Sequence, residues 1–92
     1  MLATGNQLKA ARALIGMDQA VLAERAGLNI NTIRNMEAAA GGPVAGRSVN
    51  VQAVQRTLEA AGIEFLNHGE PGVKLRRRVD QPAAETGQGG QP

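Results

Sequence analysis

Residues 28–37 read LNINTIRNME, and several of these side chains could read a pattern of hydrogen-bond donors and acceptors. At about 100° per residue, a helix over this stretch gathers Ile33, Met36 and Glu37 on one side. Asn31, Asn35 and, at the edge, Arg34 point the other way, with Thr32 on the far flank and Ile30 in an exposed first turn. Asparagine is a poor helix former, so a row of amides outside a helix needs a reason. In the major groove an Asn amide can pair with adenine N6 and N7, and an Ile or Thr methyl can touch a thymine methyl. Each good pair discriminates by about 1–3 kcal/mol. The competing reading of these residues alone is a solvated helix face.

No other constellation offers comparable chemistry. The 92-residue chain has no cysteine and one histidine, His68, which excludes disulfides and leaves a zinc site without enough ligands. His68 falls in a turn and reads as a solvated loop residue. GGPVAG, residues 41–46, lacks the lysine of a phosphate-binding loop. No Ser/His/Asp set or carboxylate pair assembles, so the chain is expected to be no enzyme, with no cofactor and no metal. Phe65 is the sole aromatic residue, which argues against base stacking on single strands. The net charge is +2; Asp80 and Glu85 lie in the last stretch, and without them ten bases face six acids, a net +4. That balance permits a nucleic-acid partner without demanding one. No apolar run is long enough to span a membrane, and the start lacks the apolar stretch of a secretion signal, so a soluble, cytoplasmic protein is expected.

The elements that position these residues follow from caps and breakers. Thr4 with Gln7 forms a capping box for a first helix, with Leu8, Ala11 and Ile15 at helical spacing and Gly16 at its end. Asp18 caps a second helix to about Ala26, with Leu22, Ala23 and Ala26 inward and Gly27 ending it. Asn29 caps a third, Ile30 to Ala39. The three-residue turn Gly27–Leu28–Asn29 makes this pair a helix-turn-helix. A glycine- and proline-containing loop follows, and Ser48 or Asn50 caps a fourth helix ending at Gly62, with Val51, Val54, Leu58 and Ala61 inward. IEFL and VKLRRRV then alternate as strands, which predicts a hairpin pairing 63–66 with 73–78, with Pro71 and Gly72 at the centre of a type II turn. Arg76, Arg77 and Arg78 form a basic run: either a phosphate contact outside the groove, or, the preferred reading, a charged edge strand that blocks aggregation. The fold class is thus mostly α, with four helices over residues 1–62, a hairpin over 63–79 and a disordered tail over 80–92.

The run MDQAVLAERAGLNINTIRNME, with Gln19, Leu22, Ala23, Gly27, Leu28, Thr32, Ile33 and Glu37, resembles the Cro/lambda-repressor-type helix-turn-helix domains of the Xre superfamily. The resemblance covers residues 5 to about 62. The continuation LEAAGIEF…GVKLR extends it, among short proteobacterial members, to about residue 78. It implies that Gln19 grips a DNA phosphate while supporting the third helix. Ile30, Asn31 and Thr32 would face base edges, the cap Asn29 would belong to the same DNA-binding set, and Arg34 and Asn35 would contact bases or phosphates. Arg47, with the amides near Ser48, would meet the DNA backbone through the positive end of the fourth helix. Arg12 and Glu37 match a buried ion pair tying the first helix to the third. Asp18 and Asn29 depart from the Ser or Thr usual at those positions; both still cap, but Asp18 adds negative charge near the DNA.

The expected function is a duplex-DNA-binding transcriptional regulator, a repressor acting as a homodimer on a palindromic operator with half-sites roughly 34 Å apart. Ile63, Phe65 and Leu66 are the candidate dimer contacts, on the premise of an unpaired strand edge and an exposed Phe. The main alternative is a helix-turn-helix module that binds another regulator as an anti-activator; an antitoxin would combine DNA with a toxin partner.

Overall fold

The computed structural model describes residues 1–76, four helices followed by a two-stranded antiparallel sheet. The helices are α1 (Gly5–Ile15), α2 (Gln19–Ala26), α3 (Ile30–Ala38) and α4 (Ser48–Ala60). The strands are β1 (Ile63–Leu66) and β2 (Gly72–Leu75), in the register Ile63 with Leu75 and Leu66 with Gly72. The expected end of the hairpin, Arg77 and Arg78 with it, and the expected tail lie outside the described residues. Among the described residues no helix is long and apolar enough to cross a membrane.

The first three helices start where a side chain supplies the missing acceptor. Thr4 accepts from the Gln7 N–H at 3.1 Å and Gln7 Oε1 accepts from the Thr4 N–H at 3.0 Å, a complete capping box. Asp18 accepts from Val21 and Asn29 from Asn31, each at 2.8 Å. Gly27 ends α2 at φ 72°, left-handed backbone in which a Cβ is strained, and the Leu28 N–H reaches back to Ala23 O at 2.8 Å. That reversal lets α3 begin with only three residues between it and the end of α2. Helix α3 closes differently, through Ala40 at φ 51°, a left-handed position without glycine.

Two expected features differ. Neither Ser48 nor Asn50 caps α4: Arg47 holds the cap position with no side-chain bond, and only its carbonyl is used, by Asn50 and Val51 at 3.0 Å each. The hairpin reverses at Asn67–Glu70 and not at Pro71–Gly72. Glu70 N–H donates to Asn67 O at 2.9 Å across His68 (φ 52°) and Gly69 (φ 82°), the pair of positive φ values of a type I′ turn. Type I′ twist matches that of paired strands, and this frees Gly72 to enter β2.

The core draws on every helix and on β1. Leu8, Leu22, Ile33, Met36, Val54, Leu58 and Ile63 are fully buried, joined by Leu2, Ala11, Met17, Ala23 and Phe65. Phe65, expected to be exposed, is 8% exposed, and Ile63 is fully buried. This corrects the premise for a dimer contact through these two: their apolar surface is already used against the chain's own helices. Of the three proposed contacts, Leu66 is the exposed one. The hairpin is therefore part of the core, which is how a two-stranded sheet that is marginal alone becomes stable.

Gln7 joins the hairpin to the helices. It is 2% exposed, and while its Oε1 accepts from Ala3 and Thr4, its Nε2 donates to Leu66 O at 2.9 Å and Gly72 O at 3.1 Å. One amide thus caps α1 and holds the open end of the hairpin loop. At the same end of α1, Gly5 lies against the C-terminus of α3. A Cβ there would sit 2.6 Å from Met36 O and 2.8 Å from Ala40 N, so only glycine permits this approach. The Asn6 N–H donates to Ala40 O at 2.8 Å across the junction.

Candidate nucleic-acid interface

Helix α3 divides as its sequence period demands. Ile33, Met36 and Glu37 are buried, while Asn31, Arg34 and Asn35 are exposed. Thr32 is half-buried on the flank. Ile30 differs from expectation: it is half-buried and packs on the core, so it offers only part of its side chain outward. Asn29 is exposed, but its Oδ1 is committed to the Asn31 N–H. Asn31 Oδ1 accepts from Arg34 Nη1 at 3.2 Å, a contact one helical turn apart on the outward face.

The inward face is fixed by Glu37. Its side chain is 4% exposed, and both oxygens are used. Arg12 Nε donates to Oε2 and Arg12 Nη2 to Oε1 at 3.0 Å, a bidentate pair; Gln19 Nε2 donates to the same Oε1 at 2.9 Å. Arg12 Nη1 also donates to Met17 O at 3.0 Å. One carboxylate therefore binds α3 to α1 and to α2. Its hydrogen bond to Glu37 holds the Arg12 guanidinium above its ordinary pKa, against the lowering effect of burial and with help from the charges of Glu37 and Asp18. The ion pair expected between Arg12 and Glu37 is present. Gln19 spends one amide hydrogen on Glu37, a use that sequence reasoning had given only as general support of α3.

The remaining expected residues lie on other elements. Arg47 is exposed at the start of α4, and with no side chain capping that helix, its first-turn N–H groups lack a side-chain acceptor. Among the described residues neither Arg34 nor Arg47 pairs with a carboxylate, so both cations are uncompensated. Asp18 is exposed at the start of α2. Arg76 lies by the hairpin, where its Nε is 3.9 Å from Glu64 Oε1; Lys74, paired with Glu64 in the strand register, is 3.8 Å from the same oxygen.

The arrangement can present amide and guanidinium groups on a convex helix whose back is immobilised. Chemically it is a surface of donors with one class of acceptor, the Asn carbonyl oxygens. Among the candidate residues the Arg34–Asn31 bond was not foreseen; only their spacing of three could have suggested it. No family model matches the chain, and no curated protein matches it.

Proposed function

We propose that this chain is a sequence-specific duplex-DNA-binding transcriptional regulator of the Cro/lambda-repressor type, without catalytic activity, that inserts α3 into the major groove. The observation that carries this reading is the division of α3. Asn31, Arg34 and Asn35 are exposed to solvent, and Glu37 is locked from behind by Arg12 and Gln19. Groups of this type read base edges, and a rigid support is what base-edge geometry requires. Arg47 and the uncapped start of α4 suit a backbone phosphate, since helix N-terminal N–H groups attract anions. Repression as a homodimer on a palindrome fits the docking geometry of such domains. Leu66 is the hairpin residue on which that dimer reading now rests.

Selection from random duplexes at physiological salt tests the proposal. The expected result is an enriched palindrome bound with an affinity that falls steeply as salt rises. Asn31→Ala should relax base preference at one position, whereas Gln19→Ala should weaken binding to all sequences. A failure to enrich any duplex would overturn the reading in favour of a protein partner. That alternative draws support from the exposed Asp18 beside α3 and from the partly outward Ile30. A partner bound through an apolar patch would show little salt dependence.

A further inference from the structure

We infer that the base read by Asn31 is guanine, and that Arg34 makes it so; the inference rests on the duplex-DNA reading above. A free Asn carboxamide offers one acceptor oxygen and two N–H donors side by side. That pair suits adenine, whose N6 amino group donates and whose N7 accepts. Asn31 does not present this pair freely. Its Oδ1 receives Arg34 Nη1 at 3.2 Å, so one lone pair is used and a positive guanidinium stands beside the other. An incoming adenine amino group, itself a donor, would meet that charge. What remains free of protein partners is Asn31 Nδ2 with the unused N–H groups of Arg34, against a single Oδ1 lone pair that lies beside the positive charge.

Guanine is the base that shows two acceptors, O6 and N7, in the major groove. Among the described residues no carboxylate neutralises Arg34. The backbone below is fixed as well, because the Asn31 N–H is held by Asn29 Oδ1 at 2.8 Å. Arg34 and Asn31 thus act as one two-residue donor clamp: one residue donates to O6, the other to N7. Arg34 is a specificity-determining residue twice over, by its own donors and by withholding the carbonyl of its neighbour.

The test selects duplexes with the full chain and with its Asn31→Ala and Arg34→Ala variants. Both positions are exposed, so each variant should keep the helical circular dichroism of the parent. The base whose preference Asn31→Ala erases should be guanine, and replacing it by adenine or by 7-deazaguanine should weaken the parent about tenfold. Arg34→Ala should move the preference at that position toward adenine, because the released carboxamide regains its acceptor. Adenine at that position in the parent, or an unchanged guanine preference in Arg34→Ala, would overturn the inference and leave duplex binding standing. If no duplex is enriched by the parent, the reading of the face as a DNA reader falls, and the inference with it.

Discussion

Arg12→Met should be among the most damaging single substitutions in this chain, and its repair should be possible at a distance. The Glu37 side chain is 4% exposed and that of Arg12 20%. Removing Arg12 takes two of the three side-chain donors from Glu37 and leaves a buried carboxylate with Gln19 alone. Stranding one member of such a pair costs about 3–5 kcal/mol. A domain this size holds on the order of 4–11 kcal/mol in all, so the loss is about a quarter of the total or more. At about 4–8 °C per kcal/mol the melting temperature should fall by roughly 12 °C or more. Replacing both partners, Arg12→Met with Glu37→Leu, removes the stranded charge. It should recover most of the loss, since buried pairs repay little beyond their own desolvation. Urea unfolding followed by circular dichroism reads all three chains, and the slopes should agree. Because its pKa is raised on folding, Arg12 contributes fully below its unfolded-state pKa, and that contribution is lost only as pH rises through the still higher folded value. The Arg12→Met deficit should therefore not depend on the protonation of Arg12 anywhere in the neutral range. A deficit under about 1 kcal/mol, or a double variant as unstable as the sum of its parts, would refute the reasoning.

Four further outcomes follow from the packing. Gly5→Ala forces a Cβ to within 3 Å of three backbone atoms of α3 and its C-terminal turn, so α1 must shift; the urea midpoint should fall by an amount equivalent to about 1–3 kcal/mol. Gln7→Glu replaces the Nε2 donor with an acceptor beside Leu66 O and Gly72 O; hydrogen exchange at Glu64 and Lys74, a hydrogen-bonded pair of the ladder, should quicken more than exchange in α2. Ala40→Gly relieves left-handed strain at φ 51° and should stabilise by about 0.5–1 kcal/mol on thermal melting. Leu66→Asp should give a folded monomer by light scattering if the hairpin joins two copies, whereas Phe65→Asp should unfold the chain by charging its core.

Helix starts were legible wherever a short polar side chain did the capping. Thr4, Asp18 and Asn29 announce their helices because each supplies an acceptor. The start of α4 was misplaced, as Arg47 fills the cap position by backbone angle alone, which no residue type reveals. The outward set on α3 was legible from its period. The burial of Phe65 was not: whether a strand face meets solvent or a helix is decided by residues far away in sequence, here those of α4 and α1. The hairpin turn was read from Pro71 and Gly72, a strong local signal, yet His68 and Gly69 make it because their positive φ values fit the strand twist. Gln7 was seen as half of a capping box; its second task depends on contacts 59 and 65 residues distant. The support of Glu37 by Arg12 came from family resemblance, since by sequence alone Arg12 reads as a solvated charge.

Among the described residues the two sides of α3 share no side-chain hydrogen bond, for Asn31 and Arg34 bond to each other while Glu37 bonds to α1 and α2. The outward residues can therefore be exchanged as a set, like type in a printer's forme, without loosening what clamps them. On the proposed duplex-DNA reading, a lineage built on this scaffold changes its recognised sequence by editing three codons, with the fold indifferent to the edit.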